Sequence, residues 1–420
     1  MNNYIKRKLK NGVDLYLYID KNMKKTFVDY IVDYGSNGKF FDFNLDGKDY
    51  HVLPGTAHFL EHMLGEHSKY GNFYKIFGSR GYSRNGGTAL DYTQYYFIGK
   101  NDIKDSIKIL IESIDDPVFT VKDVEETRFA IAEETKRNLN STGAIFYGMI
   151  NRNLYKNIEV FHDSLCTIGN EKTTYDLTYE TLKACYEAFY YDENKTLVIG
   201  GNFDEQEMVD YLESIYKNLK PHKKNVTLKE YKELDEIRTK KEIRKMPTND
   251  DIVGMYFKNK IDGFSKFEIA YYSDFMIENK FSKKMPFIEK LINDNIISGP
   301  DCDCAEFVVD GYYQFLIGAK VKDNMADKFM KLALDEIKIN SFNKKDFDLY
   351  IRREMANQAF SLDNKYNRLL GFASRKMYSD DFSNIENLKK LNFERFIEFY
   401  KSINFDNYTI GIITNKKDTK

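Results

Sequence analysis

A short stretch near residue 60 carries two histidines and a glutamate with the spacing His-x-x-Glu-His, at His58, Glu61 and His62. On a helix, positions i and i+4 lie on one face, so the two imidazoles would point toward a common place. A catalytic zinc ion takes three protein ligands, and two of them are commonly imidazoles. Glu61 flanks the same place, where a carboxylate can act as the general base that takes a proton from water. The spacing therefore predicts a zinc-dependent hydrolase, and it requires a third ligand from elsewhere in the chain.

The candidate third ligand lies in the acidic segment 123–134, because a zinc site with two histidines usually takes a carboxylate as its third protein ligand. This segment belongs to a predicted helix over 121–139, in which apolar residues recur at helical spacing. Its last two carboxylates, Glu133 and Glu134, are neighbours, and neighbours on a helix point about 100° apart. Only one of them can serve, and the residues alone leave both open.

The elements around the motif predict a mixture of strands and helices. Apolar and aromatic residues alternate over 13–35, as is typical of strands, and the motif helix follows with Thr56 as its N-cap. A hairpin is predicted from Ser83 to Phe97, with Gly86 and Gly87 inside it. Periodicity and breaker residues predict further elements, namely helices over 102–115, 178–190 and 205–218 and a buried strand over 196–200.

An internal duplication is indicated by two similar stretches, 194–199 and 407–412, which lie about half the chain length apart and each follow an amphipathic helix. We therefore predict an α+β fold of two similar halves, each a mostly antiparallel sheet with helices packed on one face. The predicted parts are a zinc-binding catalytic half (1–218), a polar linker (219–249) and a second half (250–420). All six histidines precede residue 223, so the second half is expected to lack metal ligands.

Composition excludes several classes of function. The 420 residues include 63 basic and 65 acidic side chains, for a net charge of −2, which does not favour nucleic-acid binding. No apolar run approaches the roughly 18 residues of a membrane span, and no signal peptide is recognisable. Four cysteines are too few for a disulfide framework in a chain of this length, so we expect a reducing, cytoplasmic location.

Four features, in order along the chain, resemble the pitrilysin/insulinase family of zinc peptidases, whose motif is the inverted form of His-Glu-x-x-His. The first is Gly-Thr-Ala-His-Phe-Leu-Glu-His-Met at 55–63. The second is the stretch 83–97, which is similar to the family's Asn-Ala-x-Thr strand. The third is the spacing Arg128-x-x-Ile131-x-x-Glu134, and the fourth is the Asn-x-Thr strand that closes each half. The chain resembles the zinc-bearing subunit of two-subunit bacterial members and the β subunit of mitochondrial processing peptidase.

The resemblance implies a role for each matching residue. It implies one Zn²⁺ held by His58, His62 and Glu134, with Glu133 as the competitor for the third position and Glu61 as the general base. It places an exposed strand edge beside the metal, where an extended peptide substrate would add to the sheet through Arg84, Asn85, Gly86 and Gly87. It also implies supporting positions at Glu126 and Thr127, the second of which is a glutamate in many members.

One departure from the family concerns the second half. Active members often carry an arginine and, seven residues later, a tyrosine, which stabilise the oxyanion. The corresponding stretch, 287–299, contains neither residue type. We therefore expect a heterodimer with a homologous subunit that supplies this pair, rather than a homodimer, enclosing a clamshell chamber for unfolded peptides such as leader peptides. The alternative is a non-catalytic subunit that binds peptides or has a structural role.

Overall fold

The computed structural model of the protein describes the following residues: 4–139, 141–157, 167–230, 233–309, 311–376 and 385–415.

The secondary structure comprises fourteen strands and sixteen α-helices in the described ranges. The strands are β1 (Tyr4–Lys8), β2 (Asp14–Ile19), β3 (Thr26–Val32), β4 (Asp42–Leu45), β5 (Lys48–His51), β6 (Ser83–Thr88), β7 (Thr93–Gly99), β8 (Lys195–Gly201), β9 (Val226–Leu228), β10 (Lys241–Lys245), β11 (Asp251–Lys260), β12 (Ile297–Val309), β13 (Tyr312–Val321) and β14 (Tyr408–Thr414). The helices are α1 (Thr56–Glu66), α2 (Phe73–Ser79), α3 (Ile103–Asp115), α4 (Val121–Leu139), α5 (Thr142–Leu154), α6 (Glu171–Asp176), α7 (Tyr179–Phe189), α8 (Glu205–Tyr216), α9 (Lys266–Phe281), α10 (Pro286–Asn293), α11 (Ala326–Lys338), α12 (Lys344–Asp363), α13 (Lys365–Leu370), α14 (Phe372–Lys376), α15 (Ile385–Leu388) and α16 (Phe393–Ser402). No helix in these ranges is both long enough and apolar enough to cross a membrane.

The chain forms two compact units, and the first contains the His-x-x-Glu-His motif. Its main sheet has the strand order β1-β2-β8-β3-β7-β6. Only the β2–β8 pair is parallel, and the other four pairs are antiparallel. A small second sheet has the order β5-β4-β9. The predicted hairpin is present as β6 and β7, and β6 is the outer strand of its sheet.

The second unit repeats this topology. Its sheet has the order β10-β14-β11-β13-β12, again with one parallel pair, β10–β14, followed by three antiparallel pairs. The order from β10 to β12 thus corresponds to the order from β2 to β6, with β14 in the place of β8. The prediction of an α+β fold with two similar halves is confirmed.

The compact units are discontinuous in sequence, unlike the contiguous halves of the prediction. Unit 1 comprises Met1–Asn140, Ser164–Glu230 and Asp363–Phe382, and unit 2 comprises Ser141–Asp163, Tyr231–Leu362 and Ser383–Lys420.

Packing on the two sheets explains these discontinuous units. In unit 1, Leu369 and Phe372 pack on the sheet face formed by Tyr16, Phe27 and Val198, so α13 and α14 cover this face. Helix α3 also contacts the sheet, at β3. In unit 2, α5 packs against β14 and β11, with Phe146 close to Gly254 in β11 and Met149 close to Gly411 in β14.

The predicted polar linker, 219–249, contains two strands. β9 pairs with β4 in unit 1, and β10 pairs in parallel with β14 in unit 2. The side chains of β10 alternate between exposed and half-buried, which is why this charged stretch gives only a weak hydrophobic signal in the sequence.

Candidate active site

Helix α1 carries the motif, and it begins differently from the prediction. Gly55, and not Thr56, is the N-cap residue, with a φ of 90° in the left-handed region that favours glycine. A Cβ at position 55 would lie 2.8 Å from the carbonyl oxygen of Ile168. Thr56 is the first helical residue, and its hydroxyl donates to the carbonyl of Leu53 at 2.6 Å. Gly55 therefore allows the chain at Ile168 to lie against the start of the motif helix.

His58 and His62 face a common place together with Glu134 of α4. The two imidazole rings lie 4.8 Å apart between centroids and are nearly perpendicular, with an interplanar angle of 83°. Nε2 of His58 is 3.8 Å from Oε1 of Glu134, and Nε2 of His62 is 3.6 Å from Oε2 of the same carboxylate. Glu133, the competing carboxylate, is exposed. The structure thus brings Glu134 to the histidines, and its binding of zinc stays a prediction.

These distances fit a shared metal ion better than direct hydrogen bonds. Hydrogen bonds between nitrogen and oxygen measure roughly 2.7–3.2 Å. Two ligand atoms on a tetrahedral zinc ion, each about 2.0–2.1 Å from the metal, lie about 3.3 Å apart. The separations between Glu134 and the two histidines, 3.6 and 3.8 Å, are close to the second spacing. Two imidazoles and a carboxylate are also a ligand set typical of catalytic zinc.

The two histidines differ in the support for their other ring nitrogen. Nδ1 of His62 lies 2.9 Å from Oε1 of Glu66, so an Nδ1–H group donates to this carboxylate and leaves Nε2 free to bind a metal. Nδ1 of His58 is buried and has no hydrogen-bond partner among the described residues. Glu66 therefore orients one ligand, and its position four residues after His62 is a signal that the sequence contains.

The electrostatics of the cluster favour a cation. Burial lowers the pKa of His58 to about 3, with a further contribution from His62. Burial also raises the pKa of Glu61 to about 7, although His62 and a hydrogen bond from Tyr74 oppose this shift. Burial lowers the pKa of His62, but its hydrogen bond to Glu66 and the surrounding carboxylates outweigh burial and raise it. The low pKa keeps His58 neutral, which is the form of imidazole that binds a metal, and the carboxylates of Glu66 and Glu134 beside the two rings would stabilise a divalent cation.

Helix α4, which carries Glu134, is held in place by Arg128. The guanidinium donates to the carbonyl oxygens of Thr174, Tyr175 and Leu177, at 2.6, 2.9 and 2.9 Å, where α6 ends. It also lies over the ring of Phe59 in α1, 5.9 Å from the centroid. The arginine of the Arg-x-x-Ile-x-x-Glu pattern thus links the helix of the third candidate ligand to the motif helix.

Glu126 and Thr127, the two predicted supporting residues, make their described contacts with residues other than His58 and His62. Glu126 is exposed and forms an ion pair with Lys122 at 3.4 Å. Thr127 is buried, and its hydroxyl lies 2.6 Å from Nε2 of His67, just after the end of α1. Thr127 therefore links α4 to the end of the motif helix, and direct support of the metal site by either residue stays a prediction.

The predicted substrate strand borders the same cleft. The cleft measures about 640 Å³, and its lining includes His58, Glu61, His62, Glu134 and the four residues from Arg84 to Gly87. Arg84 and Asn85 are exposed, whereas Gly86 and Gly87 are half-buried. Nε of Arg84 donates to the carbonyl oxygen of Tyr74 at 2.7 Å, so this side chain has a structural contact in addition to its predicted contact with substrate.

Two family models match successive parts of the chain. Residues 48–168 match the insulinase family, peptidase family M16, and residues 176–353 match the peptidase M16 inactive domain. This chain belongs to peptidase family M16. The first match covers the motif and Glu134, and the second begins at the end of α6 and extends into α12.

One similar protein is described as a zinc protease. The uncharacterized zinc protease YmfH of Bacillus subtilis is 33% identical over 204 residues, which are 48% of this chain and 46% of that protein. The chain therefore matches about half the length of this relative.

Solved structures of M16 proteins share the fold. A putative M16-like peptidase from Alicyclobacillus acidocaldarius has a TM-score of 0.85 at 20% identity, covering 98% of this chain and 97% of that one. A peptidase M16 inactive domain from Pseudomonas fluorescens has a TM-score of 0.79 at 14% identity, covering 100% and 99% of the two chains. Pitrilysin has a TM-score of 0.76 at 16% identity, and the match covers 99% of this chain and 45% of pitrilysin.

Two residues at the M16 site were missed by sequence reasoning. Glu66 could have been found from its spacing to His62, as described above. Tyr74, whose hydroxyl donates to Oε1 of Glu61 at 3.1 Å, comes from a different helix, α2. No local pattern in the sequence marks this tyrosine, because its contact depends on how α1, α2 and β6 pack together.

Proposed function

We propose that this chain is a zinc metalloendopeptidase that cleaves unfolded or extended peptides. The observation that carries the proposal is the position of Glu134, whose two carboxylate oxygens face Nε2 of His58 and Nε2 of His62 at 3.8 and 3.6 Å. These three residues would hold one Zn²⁺. The bound ion would supply Lewis acidity, which lowers the pKa of water and polarises a carbonyl group.

The protein's own residues account for the proton transfers. Glu61, beside the three candidate ligands, accepts a proton from the attacking water and then delivers it to the nitrogen of the leaving amine. Its position in α1, between the two histidines, places the base and the two histidine ligands on one helix. Glu66 keeps the imidazole of His62 in the tautomer that presents Nε2 to a metal.

The outer strand β6 supports an extended substrate. Its partner in the described sheet is β7, and its residues from Arg84 to Thr88 line the cleft that contains the histidines. A peptide in an extended conformation can pair with such an edge through main-chain hydrogen bonds, which do not depend on side-chain identity. This mode of binding favours unfolded peptides, including leader peptides, over folded proteins.

A homologous partner subunit forms part of the proposal. The stretch 287–299, which forms most of α10 and the start of β12, contains neither arginine nor tyrosine, so this chain lacks the expected oxyanion-stabilising pair there. The match of residues 176–353 to an inactive-domain model supports a second half without zinc chemistry of its own. We propose a heterodimer in which the partner supplies the pair, and a cytoplasmic location remains part of the same hypothesis.

The test uses the purified chain, alone and with a candidate partner subunit. We expect about one zinc per chain by atomic absorption and hydrolysis of an unfolded peptide only when the partner is present. Glu61→Gln should retain zinc and lower the turnover rate by about 10²–10⁴-fold, since general base catalysis contributes this much. High activity of the chain alone would contradict the heterodimer.

The alternative function is a peptide-binding subunit without catalysis, which the missing arginine and tyrosine favour. This alternative predicts a protein that lacks zinc after purification and binds an unfolded peptide without cleaving it. Mass spectrometry of the peptide after incubation with the reconstituted pair distinguishes binding from hydrolysis.

A further inference from the structure

Tyr74 makes a polar contact that the proposed chemistry does not yet use. Its hydroxyl donates to Oε1 of Glu61 at 3.1 Å, because an ionised carboxylate can only accept a hydrogen bond. The side-chain hydrogen bond described for Glu61 is made through Oε1 and not through Oε2. The two oxygens of the proposed base are therefore in different environments.

Two glycines make room for the tyrosine. Gly65 lies four residues after Glu61 and so on the same face of α1. A Cβ at position 65 would overlap the aromatic ring of Tyr74. Gly86 lies in β6, and a Cβ there would overlap the phenolic oxygen of Tyr74 and also Oε1 of Glu61.

The main chain of Tyr74 is also held in place. Arg84 of β6 donates from Nε to the carbonyl oxygen of Tyr74 at 2.7 Å. The ring thus lies against the motif helix at Gly65, the hydroxyl lies under the outer strand at Gly86, and the backbone is tied to that strand. Because its ring, its hydroxyl and its main chain are all in contact with neighbouring elements, Tyr74 has little freedom to move its hydroxyl away from the carboxylate of Glu61.

We propose that Tyr74 is a positioning residue for Glu61: it holds the carboxylate by Oε1 and leaves Oε2 to receive the proton of the attacking water. This inference rests on the proposed function, because it assigns the base of that reaction. The proton moves from water to Oε2 and then to the leaving amine nitrogen, while the phenolic proton stays on Tyr74. Positioned groups of this kind improve catalysis by keeping the base in its reactive orientation.

The first experiment measures kinetics of the reconstituted pair with Tyr74→Phe, which keeps the ring and removes the hydroxyl. We expect kcat to fall by about 10- to 100-fold, as for the loss of a hydrogen bond to a charged group, with KM and zinc content unchanged. The matched control is Tyr30→Phe. The hydroxyl of Tyr30 also donates to a carboxylate, Oδ2 of Asp115, at 2.6 Å, but in a buried pair outside the cleft. This control should lower thermal stability and leave kcat within about twofold of the wild-type value.

The second experiment needs no activity, because it measures thermal unfolding of the metal-free chain. Gly86→Ala should lower Tm in the wild-type background, since the added methyl group overlaps the fixed phenolic oxygen. In the Tyr74→Phe background the same substitution should cost less, because the carboxylate of Glu61 can then turn away. Gly87→Ala is the control for a side chain on the same strand, as a Cβ there has no heavy atom within 4 Å.

The outcomes separate this inference from the proposed function. A Tyr74→Phe variant with wild-type kcat overturns the positioning role even if the pair is an active zinc peptidase. An equal Tm penalty of Gly86→Ala in both backgrounds overturns the packing arrangement. A wild-type pair that binds zinc but cleaves no peptide contradicts the proposed function and, with it, the base that Tyr74 would position.

Discussion

Glu134→Gln is the substitution that most directly tests the zinc site. It removes the negative charge that faces both Nε2 atoms and leaves a neutral amide of nearly the same size, so the packing of α4 should survive. The side chain of Glu134 is 34% exposed, so the substitution does not leave an unpaired charge in the protein interior. Any effect on metal affinity therefore reports the loss of a ligand and not a change of fold.

The magnitude follows from the number of ligands. Structural zinc sites with four protein ligands bind with about 10–16 kcal/mol, or roughly 2.5–4 kcal/mol per ligand. Since about 1.4 kcal/mol corresponds to a factor of ten, loss of one ligand should weaken binding by about 10²–10³-fold. The amide oxygen of glutamine can retain a weak contact, so we expect the lower end of this range.

The assay is competition for Zn²⁺ between the protein and a chromophoric chelator at a fixed pH. Glu133→Gln is the matched control, because it changes the neighbouring residue, which is exposed on the same helix, by the same chemistry. It should bind zinc with wild-type affinity. Wild-type affinity in Glu134→Gln, or a large loss in Glu133→Gln, would refute the assignment of the third ligand.

Three further outcomes are expected. Glu66→Ala should weaken zinc binding by about 10–100-fold in the same competition assay, because His62 loses the carboxylate acceptor that fixes its tautomer; unchanged affinity would contradict this role. Gly55→Ala should lower the free energy of unfolding by more than Gly47→Ala in denaturant titrations. The second change brings only the strain of a positive φ, about 1–3 kcal/mol, whereas the first adds a clash with a carbonyl oxygen. Lys258→Met should lower the free energy of unfolding in the same titrations by at most about 3–5 kcal/mol, because the buried carboxylate of Glu233 loses its cationic partner, now 2.7 Å away, but keeps the main-chain N–H donors of Lys156 and Asn157; unchanged stability would contradict a stabilising role of this ion pair.

Much of the fold could be predicted from the sequence because its signals are local. The helix over 121–139 matches α4, since its apolar residues recur at helical spacing. The hairpin of β6 and β7 follows from aromatic and β-branched residues, and the duplication follows from the similarity of β8 and β14. The boundary of the motif helix was wrong by one residue, because Gly55 caps the helix through a left-handed conformation and contact with Ile168.

The composition of the compact units could not be predicted in the same way. Helix α5 belongs to unit 2, and helices α13 and α14 belong to unit 1, although each lies in the other half of the sequence. Their apolar side chains are equally consistent with packing on either sheet. Which sheet each helix covers depends on the closure of long loops and on the shape of the sheet face, neither of which has a local signature.

The sequence by itself determined the most local part of the site. His58, Glu61 and His62 lie on one face of α1 because positions three and four residues apart on a helix are neighbours, whatever surrounds the helix. The same rule applies to Glu66. The family resemblance favours Glu134 over Glu133, but only the tertiary structure shows that Glu134 faces the histidines and that Tyr74 reaches Glu61 between two glycines. These contacts join separate elements, so their geometry depends on how α1, α2, α4 and β6 pack against one another.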